Sequence, residues 1–298
     1  MILNRSIAPE IKSLKKIHIT EAKLFKLGNN IPVYFINSGI QEVCMIELIF
    51  KAGTLYEKKR LQSSFTNSLL NKGTDLRSAE YIAEFIDFHG AFLELKSDPD
   101  FSSVSLYALN KYLPDVLPLL FEMVTGSVFA DKELDLFKKR QIQKLEVNKQ
   151  KVEYLARKKF NEVLFGKDHP YGLNPLSSDY MAINRSDLLS HLRLLYKSSN
   201  CAIIISGKIN RPVLSMLDKY FGSTHWGYNT SQKIPGQKIK KQISGRQIEK
   251  QKRVYQEIKD ARQSAIRVGK EMIIKNHPDF TDLVILNTVL GGYFGSRL

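Results

Sequence analysis

The chain has 298 residues, 43% of them hydrophobic, and its 45 Lys and Arg residues against 30 Asp and Glu residues give a formal charge of +15. This composition predicts a folded protein of about two domains and excludes a disordered one. The charge suggests nucleic-acid binding, but the basic residues are spread along the chain without a zinc-finger spacing or a helix-turn-helix pattern. We therefore interpret the charge as solvated surface or as attraction to an acidic protein partner.

The cysteines and the N-terminus narrow the class of protein further. Cys44 and Cys201 lie in apolar runs, which predicts buried core residues and neither a disulfide framework nor a zinc site. The N-terminal segment lacks the pattern of a secretory signal. No stretch approaches the roughly 18 to 20 apolar residues of a membrane span. We expect a cytoplasmic protein, or a periplasmic one if a leader has been removed.

Strand and helix patterns alternate along the first part of the chain. Residues 31–39 and 42–53 are rich in β-branched and aromatic residues, which predicts two strands, and we expect these to be antiparallel neighbours. Helix patterns follow at about residues 60–71 and 78–90, with Ser78 as the N-cap of the second helix. Each of these helices ends at a glycine, as helix C-termini often do.

A hairpin and a group of helices complete the first predicted domain. Residues 91–97 and 101–109 are expected to form two strands around a turn, which accounts for Asp98 and Asp100. The remaining predicted elements are helices at 111–125, 131–166 and 186–196 and a strand at 200–207. This order predicts an α+β fold in which helices cover an antiparallel sheet.

The composition changes near residue 224, where a polar and basic stretch with Pro and Gly predicts a linker. A strand at 263–270 and an apolar helix at 278–292 then repeat the succession of residues 44–74. We therefore predict three segments. They are a complete first domain at 1–224, a basic linker at 225–252, and the start of a second, homologous domain at 253–298.

Short motifs distributed along the chain resemble the insulinase/pitrilysin-like metallopeptidase family, which includes the mitochondrial processing peptidase. They are FKAG at 50–53, KGT at 72–74, HGA at 89–91, DHPYG at 168–172, SGK at 206–208 and LGGYFGSRL at 290–298. The resemblance implies two tandem homologous domains, a clamshell around a chamber, and zinc-dependent cleavage of unfolded peptides. It also implies a natural product that continues for about 110 residues to complete the second domain.

The family's zinc motif, His-x-x-Glu-His, is expected on the helix that precedes Gly73. The matching positions are Ser64 and Ser68 for the two histidines and Asn67 for the glutamate that acts as general base. The distal ligand position falls on Lys144 or Leu145. None of these side chains suits its role, because serine is a poor zinc ligand, an amide is not basic, and lysine repels a dication. The resemblance therefore implies a degenerate site with no catalytic residue and no metal.

Two interpretations of the polar helix face at residues 63–68 remain open. These side chains are either the remains of a zinc site that still lines an internal cavity, or residues that fill a tightly packed helix. His89 and His169 are interpreted as a helix-end residue and a turn residue, because no second ligand lies at metal-binding spacing.

The family's substrate-pairing strand matches residues 91–96. Its candidate substrate-binding residues are Phe92, Leu93, Glu94 and Leu95. Backbone pairing needs no particular side chain, so an extended peptide could add to this edge. Glu94 suggests a preference for basic peptides.

The leading hypothesis is a catalytically silent subunit that helps to form the chamber and to bind unfolded peptide for a zinc-bearing homologous partner. Zinc is expected only in that partner, and an Arg/Tyr pair that binds substrate would follow the SRL motif. No membrane partner is expected. The alternatives are a stand-alone peptide-binding scaffold, an active zinc endopeptidase with an unrecognised metal site, and, least favoured, a nucleic-acid binder.

Overall fold

The computed structural model describes residues 19–227, 253–258 and 261–293. The chain divides into two compact units, Met1–Leu134 with Ile183–Gly236 and Asp135–Ala182 with Gln237–Leu298, which we call the first unit and the second unit. None of the described helices is long and apolar enough to cross a membrane. Most of the predicted linker and the SRL motif lie outside the described residues, and the predicted domain boundaries stay a prediction.

The first unit contains one open six-stranded sheet with the strand order β1-β2-β6-β3-β5-β4. The strands are β1 (Lys23–Lys26), β2 (Pro32–Asn37), β3 (Val43–Phe50), β4 (Phe92–Ser97), β5 (Ser102–Leu109) and β6 (Cys201–Gly207). Helices around this sheet give the mixed α and β architecture that the sequence predicts. All of the predicted strands of the first domain are present, and β1 is an additional one.

The prediction that β2 and β3 are neighbours is wrong, because β6 lies between them. β6 pairs with β2 in parallel and with β3 in antiparallel orientation, so that Ile203 lies between Val33 and Leu48. Ile203 and Ile205 are completely buried, as expected for a strand in the middle of a sheet. Local sequence patterns do not encode such an insertion, since β6 follows β2 by more than 150 residues in the sequence.

The two faces of the sheet differ in burial. Along β3, the fully buried residues Ile46 and Leu48 alternate with the half-buried Met45, Glu47 and Ile49. Helices α1 (Gln62–Ser68) and α3 (Leu113–Gly126) contact β5 on the buried side. The opposite side is the more open face of the sheet.

The other helices of the first unit are α2 (Ala79–Phe88), α7 (Arg185–Leu195) and α8 (Arg211–Leu217). The prediction for α2 is confirmed, since the side chain of Ser78 accepts a hydrogen bond from the backbone N–H of Tyr81. α7 begins with a capping box in which the side chain of Asn184 accepts from the N–H of Asp187 and the Asp187 carboxylate accepts from the N–H of Asn184.

Aromatic side chains cluster around Phe50 in the first unit. The ring centroids of Phe50 and Tyr196 are 4.6 Å apart, and the Trp226 ring lies 6.1 Å from Phe50 and 5.9 Å from Phe121. The indole N–H of Trp226 donates to the carbonyl of Phe221 at 2.9 Å. Packing of the first unit therefore continues past residue 224.

The second unit contains most of α4 (Asp131–Lys149), with α5 (Val152–Phe165), α6 (Ser177–Ala182) and α9 (Phe280–Gly291). The single long helix predicted at 131–166 is wrong. Short turns from Gln150 to Val147 and from Lys151 to Asn148 end α4, and Lys151 is extended. No Gly or Pro marks this break in the sequence, and α6 was not predicted.

The strand predicted at 263–270 is also wrong. These residues are described and largely exposed, but they do not pair as a strand with any other described segment. A strand needs a neighbour that satisfies its backbone groups, and β-branched residues alone do not supply one. The apolar helix predicted after it is confirmed as α9.

Candidate functional site

Helix α1 carries the three positions that match the family's zinc motif, and the structure separates them. Ser64 and Ser68 are half-buried on one side of the helix, and the Ser64 hydroxyl donates to the carbonyl of Leu61 at 3.2 Å. Asn67 points into the protein and has no exposed surface. The motif positions therefore do not form one open polar surface.

The Asn67 amide joins α1 to the sheet. Its Nδ2 donates to the carbonyl oxygens of Lys96, at 2.8 Å, and Ser103, at 3.1 Å, which lie opposite each other on β4 and β5. The hydroxyl of Tyr196 donates to its Oδ1 at 2.9 Å. Both ends of the amide are thus occupied by buried partners, and the side chain acts as a structural clamp.

Ser63 belongs to a second buried set of polar groups around the carbonyl of Ala52. Its hydroxyl donates to this oxygen at 2.6 Å and shares a hydrogen bond with the Ser97 hydroxyl at 2.7 Å. The Ser102 hydroxyl also donates to Ala52, at 3.0 Å. A side-chain hydrogen bond between Tyr196 and Ser102 joins this set to the Asn67 clamp, and we call the whole the α1 polar network, which is buried except at the half-buried Ser97. Its members are Ala52, Ser63, Asn67, Ser97, Ser102, His191 and Tyr196.

The α1 polar network settles how most of the polar face is used. Ser63 and Asn67 fill a packed interface between helix α1 and the sheet. Neither side chain lines a cavity. Thr66 is also completely buried. The interpretation as a cavity lining is therefore wrong for Ser63 and Asn67, whose polar atoms are hydrogen-bonded within the protein, whereas the buried Thr66 hydroxyl has no hydrogen-bond partner among the described residues.

His191 and Tyr196 are buried members of this network that the sequence did not single out. Burial lowers the pKa of His191 to about 4, and its Nε2 lies 3.0 Å from the carbonyl oxygen of Ala52. A carbonyl can only accept, so the neutral imidazole carries its proton on Nε2. Burial also raises the pKa of the Tyr196 hydroxyl. Both groups stay neutral near pH 7, and their signal in the sequence was a His and a Tyr inside an apolar helix pattern.

Glu57 lies just before α1 and is a further ionisable group that sequence reasoning missed. Burial raises the pKa of its carboxyl group to about 7, although the backbone amides of Ser63 and Leu61 and the charge of Arg60 act in the opposite direction. The N–H of Ser63 donates to Glu57 Oε2 at 3.2 Å. This carboxylate therefore caps the start of α1.

The other discounted residues have local structural roles. His89 Nδ1 lies 2.7 Å from the carbonyl oxygen of Phe85 at the end of α2, and His169 Nδ1 accepts from the N–H of Tyr171 within its turn. The Asp98 carboxylate accepts from the N–H groups of Asp100 and Phe101, which confirms its role in the hairpin turn.

The expected distal position lies in the second unit. Lys144 is exposed on α4, and Leu145 next to it is buried. Within residues 19–227, 253–258 and 261–293, no three His, Cys, Asp or Glu side chains are grouped so that they could hold a metal ion. Serine hydroxyls and an occupied amide do not fit zinc, so the motif positions of α1 offer this ion no suitable donor set.

The strand predicted to pair with substrate, β4, lies at one end of the sheet. The N–H of Asp98 donates to the carbonyl of Phe101 at 2.9 Å, which makes these two residues a hydrogen-bonded pair. Hydrogen-bonded and non-hydrogen-bonded pairs alternate along an antiparallel ladder, so every second residue of β4 directs its backbone groups away from the sheet. These outward residues are Leu93, Leu95 and Ser97.

Side chains on the open face flank this edge. Phe92 is 62% exposed, and its ring lies 5.9 Å from that of Tyr107 on β5. The Glu94 carboxylate lies 2.8 Å from the Lys96 ammonium. Because Lys96 offsets its charge, Glu94 alone gives little support for the predicted preference for basic peptides.

Two family descriptions match the chain in succession. Residues 33–169 match "Insulinase (Peptidase family M16)", and residues 182–298 match "Peptidase M16 inactive domain". Together they leave only the N-terminal segment and a short interval between them unmatched.

Individual relatives and a solved structure are similar over most of this chain. Bovine (Bos taurus) mitochondrial-processing peptidase subunit beta is 25% identical over 303 residues, covering 97% of this chain and 58% of the relative. Cytochrome b-c1 complex subunit 1, mitochondrial, of Bos taurus is 22% identical over 215 residues, covering 71% and 45%. The crystal structure of a peptidase M16 inactive domain from Pseudomonas fluorescens has a TM-score of 0.65 at 21% identity, covering 71% and 53%, and shares the fold. The chain thus spans about half the length of these proteins.

Proposed function

We propose a role that starts from the family to which this chain belongs, the insulinase-like M16 peptidases. The chain is a catalytically silent member of that family and acts beside a zinc-bearing homologous subunit. In this proposal the partner holds zinc and performs hydrolysis. This chain helps to enclose the substrate and holds it by strand addition to β4.

The observation that carries the proposal is the Asn67 clamp. The position that matches the family's general base is a buried amide, which has no proton-accepting form near neutral pH, and its hydrogen bonds already join α1, β4 and β5. An active site that needed this position to activate water could not use it. The side chain instead supports the strand that the proposal assigns to peptide binding.

The partner part of the proposal is supported by the relatives. The two similar proteins from Bos taurus are named as subunits, one of a mitochondrial-processing peptidase and one of a cytochrome b-c1 complex. The peptide part is supported by the outward backbone groups of Leu93, Leu95 and Ser97, which could form a ladder with an extended chain.

The partner is tested by isolating the tagged full-length protein from its native cells and assaying the eluate on a long unstructured peptide. We expect a co-purifying homologue with a His-x-x-Glu-His motif and cleavage that a chelator abolishes. A protein that arrives alone and inactive would contradict the subunit role and favour a peptide-binding scaffold. About one zinc per isolated chain would instead favour an active peptidase with an unrecognised metal site.

Peptide addition is tested with backbone-methylated peptides, which leave the protein unchanged. In an added strand only every second peptide residue directs its N–H toward β4. For a bound peptide of unstructured sequence, N-methylation of one alternate set should abolish binding, and methylation of the other set should have little effect. Equal effects of the two sets would contradict strand addition.

A further inference from the structure

The edge strand β4 is complementary in charge to a second copy of itself. Its sequence FLELKS places Glu94 and Lys96 on either side of Leu95, and both side chains lie on the same face of the sheet. In an antiparallel pair that is centred on Leu95, Glu94 of each copy lies opposite Lys96 of the other. Leu93 then lies opposite Ser97 of the second copy.

The backbone pattern of β4 agrees with this register. Leu93, Leu95 and Ser97 carry the outward backbone groups, and all three would form hydrogen-bonded pairs across the twofold axis. Glu94 and Lys96 would then occupy non-hydrogen-bonded pairs, in which the opposing side chains come closest. The same register therefore satisfies both the backbone groups and the charges.

The existing ion pair strengthens the complementarity. The Glu94 carboxylate and the Lys96 ammonium are already 2.8 Å apart within one strand. In the pair of strands each charge would gain a second opposite neighbour, which gives a ring of four alternating charges on the open face. A register shifted by one residue would lose this arrangement of charges. The outward backbone groups of one strand would then no longer lie opposite those of the other.

We propose that two copies of this chain pair through β4, centred on Leu95, and join their six-stranded sheets into one continuous sheet across a twofold axis. Such an isologous contact is the commonest form of protein dimer. The dimer itself depends only on β4. Its regulatory consequence rests on the proposed function, because the paired strands cover the edge that would receive a peptide, so the chain holds itself closed until peptide or partner displaces the second copy.

Charge reversal tests the pairing in purified full-length protein without peptide. Sedimentation equilibrium should detect a dimer at concentrations up to about 100 µM. Glu94→Lys and Lys96→Glu each place like charges opposite each other twice, and each should weaken association about tenfold. The double variant Glu94→Lys/Lys96→Glu restores both cross-strand pairs and should restore the dimer. A monomeric wild type, or a double variant as weak as the singles, would overturn the proposal.

Cysteine cross-linking tests the register. Leu95→Cys places two cysteines opposite each other with Cα atoms about 5.5 Å apart, within disulfide range, and should form a covalent dimer on mild oxidation. Leu93→Cys is the matched control, because the two copies of residue 93 would be separated by about 14 Å. Cross-linking of both variants alike, or of neither, would rule out this register.

These measurements separate the dimer from the peptide proposal. If a peptide that binds the chain also dissociates the dimer, the two share β4. If the dimer forms and no peptide binds, the peptide part of the proposed function fails and the pairing stands. If peptide binds and leaves the dimer intact, the self-closure is wrong.

Discussion

The two units of this chain differ in how they use charge and apolar surface. The first unit has 22 Lys and Arg residues and 18 Asp and Glu residues, whereas the second, smaller unit has 23 and 12. Most of the excess positive charge therefore belongs to the second unit. The formal charge of the whole chain conceals a nearly balanced sheet unit and a strongly basic one.

Burial differs in the same way. The first unit has a closed apolar core and a buried polar network, while in the second unit the apolar helix α9 has several exposed side chains. They are Val284, Ile285, Leu286, Val289 and Leu290. A helix that is apolar on all sides is normally covered. We therefore expect single side chains to determine stability in the first unit, and surface charges to have small effects in the second.

Loss of the Asn67 clamp is the largest effect we expect. Asn67→Ala removes the partner of the buried Tyr196 hydroxyl and the support of the Lys96 and Ser103 carbonyls, and should cost about 3 to 4 kcal/mol of unfolding free energy. Urea unfolding followed by circular dichroism measures this. Ser68→Ala, on the half-buried side of the same helix, is the control and should change stability by less than about 0.5 kcal/mol. Similar losses of stability in the two variants would mean that the buried hydrogen bonds of Asn67 do not stabilise the protein.

The second largest effect we expect is a loss of stability in acid that is caused by protonation of His191. Its pKa of about 4 lies below the model-compound value of 6.5, so its contribution to stability is complete above pH 6.5 and is lost as the pH falls toward 4. The full loss corresponds to about 3 kcal/mol. Glu57 opposes it, because its raised pKa gives a contribution that is complete below pH 4.5 and lost as the pH rises through about 7.

The opposition between these groups can be removed by one substitution. Glu57→Gln keeps an acceptor for the Ser63 N–H and removes the ionisation, so the variant should lose more stability between pH 7 and pH 4.5 than the wild type. Urea midpoints at the two pH values measure the difference. Adding His191→Gln to the Glu57→Gln variant should reduce the loss of stability that occurs as the pH falls toward 4. If the double variant loses as much stability in acid as Glu57→Gln alone, groups other than His191 cause the loss.

Tyr196→Phe should have a smaller effect. It keeps the ring against Phe50 and leaves Asn67 Oδ1 without its donor, which should cost about 1 to 2 kcal/mol. Thermal unfolding of the two proteins gives the difference. A cost close to zero would show that the Tyr196 hydroxyl is dispensable to the clamp.

The second unit provides the smallest expected effect. Lys159 and Glu162 form a surface ion pair at 2.9 Å along α5. Lys159→Ala should lower the unfolding free energy by no more than about 0.5 kcal/mol, with less effect in high salt. Urea unfolding in low and high salt measures it. A loss as large as that of Asn67→Ala would remove the contrast between the units.

Local signals in the sequence predict much of this fold. Alternating β-branched residues locate β2, β3 and β6, and the Asp98 turn locates the β4–β5 hairpin, because each depends on neighbouring residues alone. The position of β6 between β2 and β3 could not be predicted, since it depends on pairing across the length of the chain. The break after α4 has no residue signal, and the apolar pattern at 263–270 lacks a partner strand.

In the candidate site, too, only the features that depend on local sequence could be predicted. Ser64, Asn67 and Ser68 could be located by comparison with a motif, but their orientation could not, because one helix turns Asn67 inward and the serines outward. The network of His191 and Tyr196 joins α7 and its C-terminal end to α1 across more than 120 residues. Sequence spacing carries no information on such contacts.

The central place of β6 also determines when the sheet can form during synthesis. Until residues 201–207 leave the ribosome, the pair β1–β2 and the group β3–β5–β4 have no strand to join them, and each exposes an unpaired edge. Long-range pairing of this kind slows folding, and exposed edges promote aggregation. A nascent chain that stalls before Cys201 is therefore the species that most needs a chaperone.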